Sequence, residues 1–230
     1  MRPEQQREYW NRRISSWDSS TYRRGGRKPA VEVLAGLFRA NLRKRKALAL
    51  DTIAQAAPRS LLELGCGTGE LFASLPADSG VERYLGVDIS APAIARAQQR
   101  AAPMATFVES AILDLEPDDY REFDFVLGLG LLPYLTDEEV DRFTRIVRGK
   151  SFFFDFHIAG PSVRNALHWF YRRAAGHAFY RMHRDADVAL LLQAQAIDAF
   201  ELVHRSGLGL VRHIEPGDRG LCERTLQTDH

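Results

Sequence analysis

Residues 60–69 read Ser-Leu-Leu-Glu-Leu-Gly-Cys-Gly-Thr-Gly, an apolar stretch that runs directly into three glycines at positions 65, 67 and 69. The apolar run predicts a buried β-strand, and the glycines predict a tight turn into a following helix. Because glycine has no Cβ, the backbone of such a turn can come close to a bound ligand. In open α/β sheets, nucleotides bind at this carboxyl edge of the strands. The segment therefore predicts a nucleotide-type site after the first strand.

The glycine spacing and three acidic residues narrow the class of ligand. A dinucleotide fingerprint is Gly-x-Gly-x-x-Gly, whereas this chain has Gly-x-Gly-x-Gly followed by Glu70, which would repel a pyrophosphate. Glu63 ends the first predicted strand, where a carboxylate suits an ammonium group. Asp88 ends the second, and its two oxygens suit ribose hydroxyls. The pattern favours an amino acid attached to adenosine over a dinucleotide.

The rest of the chain alternates strand and helix patterns. Five strands are predicted over 60–64, 83–88, 106–108, 123–127 and 151–156, with helices over 70–75, 90–100 and 136–149. We further predict a long helix over 185–205 and two last strands over 208–214 and 221–226. Strands that are apolar on both faces and alternate with helices form a parallel sheet covered on both sides. The predicted fold class is α/β: a doubly wound, Rossmann-like, mostly parallel seven-stranded sheet with an antiparallel C-terminal strand, plus helical lid elements.

Composition sets outer limits on the function. The chain has 230 residues, 45% hydrophobic content and a net charge of +1, which is typical of a globular domain. No apolar run approaches the roughly 20 residues that span a bilayer, and the N-terminus lacks the apolar stretch of a secretory signal. We therefore expect a cytoplasmic protein, either a monomer or a homodimer. Cys66 and Cys222 are too few for a disulfide framework or a zinc site, and we expect no metal.

The charge is distributed unevenly along the chain. Residues 1–50 carry 13 Lys or Arg and four Asp or Glu, whereas the remainder is acidic. Such a basic segment indicates either a nucleic-acid or anionic-membrane contact, or a solvated face. Arg39 and the basic run 43–46 lie on a predicted helix whose other positions include Leu37, Phe38, Leu42 and Leu48. This pattern is typical of a helix at a lipid surface or of an amphipathic helix that covers the core. We favour the solvated, core-covering interpretation, so nucleic acid and peripheral membrane contact are not the expected partners.

On these motifs the sequence resembles the class I S-adenosylmethionine-dependent methyltransferases. Leu61–Gly69 matches the first motif of that family residue for residue, with Glu63 in place of the commoner Asp. Gly86–Ser90 is similar to the second-strand segment, and Phe123–Leu127 resembles the fourth-strand motif. The resemblance covers about residues 60–157 and implies S-adenosyl-L-methionine as the cofactor.

The same resemblance implies a division of the chain and a set of cofactor-binding residues. We expect a helical lid over 1–58, an S-adenosylmethionine-binding core over 59–157, a helical lid and acceptor-side segment over 158–206, and the last two strands of the core sheet over 207–230. The expected cofactor-binding residues are Glu63, Gly65, Cys66, Gly67, Gly69, Asp88, Ile89, Ile112, Asp114 and Leu129. Asp114 is assigned to the adenine amino group, although its spacing from the fourth strand is slightly short.

Two residues are candidates on the acceptor side. His157 ends the fifth strand at the carboxyl edge, where a general base would stand, and a structural role is the alternative. Tyr134 follows the fourth strand in Leu-Leu-Pro-Tyr, which lacks the Asn and one Pro of the Asn-Pro-Pro-Tyr motif found in enzymes that methylate amines of nucleic acids or proteins. Tyr134 lies either at the site or in the core. Residues 164–184 mix aromatic and arginine side chains, which suits an aromatic or acidic acceptor or an amphipathic helix.

These observations predict an enzyme that transfers a methyl group to an oxygen or nitrogen of a small-molecule acceptor. Two alternatives remain open at this point. The first is a nucleotide-dependent Rossmann oxidoreductase, and the second is a methyltransferase-like protein that acts on nucleic acid or lacks catalysis. The acceptor itself is not predicted by any motif.

Overall fold

The computed structural model describes residues 3–21, 29–161, 180–205 and 208–215. Within these residues, helices pack on both faces of one sheet. The helices are α1 (Pro3–Thr21), α2 (Pro29–Ala56), α3 (Ala91–Gln98), α4 (Asp137–Val147) and α5 (Asp185–Gln193). The strands are β1 (Ser60–Leu64), β2 (Arg83–Asp88), β3 (Ala105–Glu109), β4 (Phe125–Gly128), β5 (Ser151–His157), β6 (Glu201–Arg205) and β7 (Leu208–His213). Short 3₁₀ turns lie at Phe72–Ser74, Ile112–Asp114, Pro117–Tyr120 and Leu132–Tyr134.

The sheet has seven strands in the order β3-β2-β1-β4-β5-β7-β6. Strands β1 to β5 pair in parallel, and β7 pairs antiparallel with both β5 and β6. The predicted fold class is thus confirmed. The strand order reverses at β1 and β4, which are neighbours in space but not in sequence. A crevice opens beyond the carboxyl ends of strands at such a reversal, and this is where α/β sheets bind ligands.

Burial on both faces explains why the strands read as continuous apolar runs. Alternate residues of β1 enter different clusters: Leu62 packs with α4, whereas Leu61 packs with Ile53 of α2. β5 alternates in the same way, and four of its phenylalanines are at most 2% exposed: Phe152, Phe153, Phe154 and Phe156. Burial of each such side chain contributes about 1.5–3 kcal/mol to stability. The sheet is therefore a rigid platform, and its edge residues are held in place by a packed core.

Helix α4 begins as the sequence predicts. The Thr136 hydroxyl accepts a hydrogen bond from the Glu139 N–H at 3.3 Å, and the Glu139 carboxylate accepts one from the Thr136 N–H at 2.8 Å. This reciprocal pair is a capping box, which satisfies two backbone donors that the first helical turn leaves open. The capping box lies directly after the 3₁₀ turn at Leu132–Tyr134, so the loop between β4 and α4 ends at a well-defined helix start.

The predicted helix over 185–205 is wrong in its second half. Helix α5 ends at Gln193, and residues 201–205 form β6. Ala196 adopts a left-handed backbone with φ of 57°, and the Ile197 N–H donates to the Leu192 carbonyl at 3.0 Å, which closes the helix. Glycine is the usual residue at such a position, so the alanine gave no sign of a helix end.

Three smaller expectations have different outcomes. The helix predicted over 70–75 is instead a turn that contains the 3₁₀ segment at Phe72–Ser74. The strand predicted over 221–226 lies outside the described residues. No helix in the described part of the chain is long and apolar enough to cross a membrane.

The packing of β7 on β5 gives a first testable prediction. Gly209 lies directly opposite Phe156 in the register, and a Cβ at position 209 would overlap the Phe156 ring. Gly209→Ala should therefore lower the free energy of unfolding by about 1–3 kcal/mol, the cost of overpacking a core. Urea unfolding followed by circular dichroism measures the change. Gly160→Ala is the control, because a Cβ there meets nothing within 4 Å. Equal stability of the two variants would contradict the register of β7.

Candidate active site

A cavity of about 480 Å³ lies at the carboxyl edge of β1, β2, β4 and β5. Its size is within the range of small-molecule sites. The strand ends and the loops after them form its floor, whereas α1 contributes Gln6, Trp10 and Ile14 from above. Helix α2 contributes a third side of the cavity with basic side chains. The cavity is therefore built between the sheet and the first two helices.

The glycine-rich turn forms part of the cavity floor. Gly65, Gly67 and Gly69 have φ angles of 74°, 54° and 75°, a region that side chains with a Cβ rarely adopt. The Gly65 and Cys66 N–H groups both donate to the Val87 carbonyl, at 2.7 and 3.0 Å, so the turn folds over the end of β2. Gly65, Cys66 and Gly67 line the cavity. Gly69 lies outside the lining and faces Ala97 and Phe107, which a Cβ there would contact at 3.3 Å.

Asp88 joins the glycine-rich turn to the loop after β2. Its Oδ2 accepts a hydrogen bond from the Gly67 N–H at 2.8 Å, and its Oδ1 accepts one from the Ser90 N–H at 2.9 Å. Burial raises the pKa of Asp88, and these backbone donors counteract part of the shift. The carboxyl lines the cavity. Acceptor oxygens are thus held in a fixed position at the end of β2.

Glu63 provides a second buried carboxyl beneath the turn. It is 3% exposed and accepts a hydrogen bond from the Tyr84 hydroxyl. Burial raises the pKa of Glu63 to about 8; the Tyr84 hydrogen bond opposes that rise and the Asp88 charge adds to it. In the ligand-free protein, Glu63 is therefore mostly protonated at neutral pH.

One end of the cavity is apolar. Ile89, Ile112 and Leu129 line it, as the sequence predicts. Asp114 is exposed in the 3₁₀ turn after β3 and is not among the lining residues. Ser110 is the polar side chain that lines the cavity in this region, and sequence reasoning missed it. The available signal was its place directly after β3, beside the end of β2.

The opposite end carries a cluster of rings. The Tyr180 hydroxyl is hydrogen-bonded to His157 Nδ1, and the ring of Tyr180 packs edge-on against Tyr134 with centroids 5.4 Å apart. Trp10 of α1 packs edge-on against the other side of Tyr134 at 4.8 Å. All four side chains line the cavity, including the two predicted acceptor-side residues His157 and Tyr134. Tyr180 belongs to the predicted acceptor-side segment but was not singled out.

A buried ion pair lies behind this end of the cavity. Arg45 Nη1 lies 3.1 Å from Asp155 Oδ2, and the Gly130 N–H donates to Asp155 Oδ1 at 2.6 Å. Asp155 is two residues before His157 on β5, so both side chains lie on one face of that strand. Helix α2 therefore covers the core and also directs part of its basic run into the cavity wall, which the sequence pattern did not indicate.

Comparison with known sequences finds one family profile that matches the central part of the chain. A sequence profile described as a methyltransferase domain matches residues 61–149. This match supports the resemblance to the class I S-adenosylmethionine-dependent methyltransferases, and residues 61–149 are a methyltransferase domain. The chain is an S-adenosylmethionine-dependent methyltransferase, the enzyme class that the sequence predicts in preference to an oxidoreductase. No curated protein sequence matches the chain significantly.

Solved structures share the fold of this methyltransferase at low sequence identity. Magnesium protoporphyrin IX methyltransferase from Synechocystis, with S-adenosylhomocysteine bound, is 16% identical with a TM-score of 0.66, over 90% of this chain and 97% of that chain. Human N-acetylserotonin methyltransferase, in complex with S-adenosylmethionine, is 14% identical with a TM-score of 0.57, over 73% of this chain and 50% of that chain. At these identities the likeness concerns the fold alone.

The structure brings most of the predicted site residues of the methyltransferase together. Ten of them line one cavity: Glu63, Gly65, Cys66, Gly67, Asp88, Ile89, Ile112, Leu129, Tyr134 and His157. Gly69 and Asp114 lie outside it. The aromatic and arginine side chains predicted to form a lid between 164 and 179 lie outside the described residues.

The raised pKa of Glu63 predicts how stability depends on pH. Between about pH 5 and pH 8 the folded protein keeps a proton on Glu63 that the unfolded chain releases, so this group lowers the free energy of unfolding as pH rises. Glu63→Gln removes the titrating group. We expect the variant to gain stability relative to the native protein when the pH is raised from about 5.5 to about 8.

Urea unfolding at the two pH values measures this difference. The control is Glu82→Gln, since the Glu82 carboxylate is exposed in a surface ion pair with Arg59. Its stability difference from the native protein should not change with pH. A gain for Glu63→Gln at the lower pH instead would mean that Glu63 is ionised in the folded protein.

Proposed function

We propose that this enzyme transfers the methyl group of S-adenosylmethionine to an oxygen or nitrogen of a small-molecule acceptor. One observation carries the proposal: a single cavity holds the glycine-rich turn with Asp88 at one end and His157 with Tyr180 at the other. The first end has the donors and acceptors that an adenosyl amino acid needs. The second end has a group that can take up a proton.

The side chains around the turn fit the cofactor by their chemistry. Asp88 presents carboxylate oxygens suited to ribose hydroxyls, and the apolar surface of Ile89 and Ile112 suits an adenine ring. Gly67 leaves open space where a Cβ would stand, since nothing lies within 4 Å of that position. Glu63 lies beneath the turn, where a cofactor ammonium group would favour its ionised form. When bound, S-adenosylmethionine supplies an electrophilic methyl carbon on a sulfonium.

The acceptor end supports proton removal. His157 lies at the carboxyl end of β5 with its Nδ1 bonded to Tyr180, so the orientation of its ring is fixed. We assign His157 the role of the base that takes the proton from an acceptor hydroxyl or amine as the new bond to the methyl carbon forms. Tyr134, which lies between Trp10 and Tyr180, positions the acceptor by ring contact. Alignment of the acceptor provides the larger share of rate acceleration in such displacements.

We assign the first helices the role of a cover, which is the lid predicted over residues 1–58. The Gln6 side-chain amide donates to the Tyr134 carbonyl at 3.1 Å, and the Arg96 guanidinium donates to the Ile14 carbonyl at 3.2 Å. Helix α1 is thus held at two points, on the loop after β4 and on α3. A closed cover excludes water from the transfer and limits the acceptor to a small molecule.

Loss of the Asp88 carboxylate tests the cofactor site. Asp88→Ala should weaken binding of S-adenosylhomocysteine by about 10- to 100-fold, the scale of charge-assisted hydrogen bonds. Calorimetric titration measures the dissociation constant, and a thermal melt shows that the variant is folded. The control is Asp114→Ala, because Asp114 is exposed and outside the cavity lining. If Asp114→Ala rather than Asp88→Ala weakened binding, the adenosyl end would be wrongly placed.

Removal of His157 tests the acceptor end. We expect His157→Gln to lower kcat about 10²–10⁴-fold for an acceptor found by screening with labelled methyl donor, and to leave S-adenosylhomocysteine affinity unchanged. His204→Gln is the control, since His204 lies on β6 in an ion pair with Asp185. An unchanged kcat in His157→Gln would show that transfer needs no base at this position.

A further inference from the structure

Helix α2 places three basic side chains in the wall of the cavity. Arg43, Arg45 and Lys46 line it, whereas Lys44 is exposed and is not part of the lining. Arg45 lies against the backbone of Gly130, where a Cβ would come within 2.7 Å of its Nη1. We call these three residues the basic wall. Arg45 lies beside Gly130 and Asp155, next to the His157 end of the cavity, whereas Lys46 lies beside Ser74, which follows the glycine-rich turn.

Only one cation of the basic wall has an acidic partner among the residues that the structure describes. Arg45 pairs with Asp155, and both side chains are largely buried. Lys46 Nζ donates to a neutral group, the Ser74 hydroxyl, at 3.0 Å. Arg43 takes part in no ion pair with the described residues. Among the described residues, therefore, no carboxylate pairs with Arg43 or Lys46, and both side chains line the cavity.

The acidic residues that line the cavity are engaged elsewhere. Glu70 pairs with Arg100, and Glu139 forms the capping box of α4. Asp88 binds the Gly67 and Ser90 N–H groups, and Glu63 binds Tyr84. None of these four carboxyl groups forms an ion pair with Arg43 or Lys46, so the basic wall is free to bind an anionic group of a ligand.

We propose that the basic wall binds a carboxylate of the methyl acceptor, so that the substrates of this enzyme are small organic acids. This inference rests on the proposed function and adds the class of acceptor. Guanidinium and ammonium groups form charge-assisted hydrogen bonds with carboxylates, and these are about twice as strong as neutral ones. Because the basic wall and His157 line the same cavity, an acceptor held by its carboxylate would share that cavity with the proposed base. The reacting hydroxyl or amine is then a separate group of the same molecule.

The test compares acids with their neutral amides. The enzyme saturated with S-adenosylhomocysteine is titrated with matched pairs: 4-hydroxybenzoate and 4-hydroxybenzamide, 3-aminobenzoate and 3-aminobenzamide, and phenylacetate and phenylacetamide. We expect at least one acid to bind about tenfold more tightly than its amide, a difference of about 1.4 kcal/mol. The preference should decrease with added salt, because the site opens to solvent at Arg43.

Three variants test whether the preference for the acid over its amide depends on the basic wall. Arg43→Gln and Lys46→Gln should each remove most of the preference for the acid, whereas Arg43→Lys should keep it. Lys44→Gln is the matched control on the same helix and should bind acids as the native protein does. Thermal melts of all four confirm that they are folded.

Separate results would overturn the inference and the proposed function. Equal binding of acids and amides, or binding of neither across the panel, would overturn the inference alone. So would weaker S-adenosylhomocysteine binding in Arg43→Gln, because the wall would then hold the carboxylate of the cofactor. Failure of the native protein to bind S-adenosylhomocysteine would overturn the proposed function, and the inference with it.

Discussion

The hydrogen bonds that the Asp88 carboxylate accepts from the Gly67 and Ser90 N–H groups are the constraint on which the site depends. They tie the turn after β1 to the loop after β2, so the ends of two parallel strands become one rigid surface. Desolvation of this carboxylate is costly, as the raised pKa of Asp88 shows, and the two backbone donors recover part of that cost. These two loops contribute Gly65, Cys66, Gly67 and Ile89 to the lining of the cavity, so their connection determines the shape of that part of the site.

The charge of the cavity is divided between its parts. The carboxyl groups of Glu63 and Asp88 lie at the ends of β1 and β2, whereas Arg45 of α2 lies beside Gly130 and Asp155 at the ends of β4 and β5. This separation follows from the fold, because the acids end central strands whereas the bases come from a helix that crosses the sheet edge. A sulfonium with its amino acid and an anionic acceptor would thus meet opposite electrostatic surroundings within about the length of one ligand.

The strands and the cofactor half of the site could be predicted because local sequence determines them. An apolar run followed by Gly65, Gly67 and Gly69 indicates a buried strand that ends in a tight turn, and Asp88 ends a second apolar strand. The end of α5 could not be predicted, because Ala196 adopts a left-handed conformation that only its tertiary surroundings explain. Arg45 was missed for a related reason: its contacts with Gly130 and Asp155 join positions far apart in sequence.

The attachment of α1 has a consequence for the order of events during turnover. The Gln6 amide holds α1 to the Tyr134 carbonyl, and both residues border the cavity. This hydrogen bond is one of several contacts that hold α1: Gln6 also donates to the Glu139 carboxylate at 3.4 Å, Arg7 pairs with Glu109 at 3.5 Å, and Arg96 donates to the Ile14 carbonyl at 3.2 Å. Three of these contacts involve a charged group, so their strength depends on ionic strength. In the proposed function α1 covers both ligands, and product departure then requires these contacts to open together. The salt dependence of turnover would therefore reflect the opening of this cover as well as the recognition of the substrate.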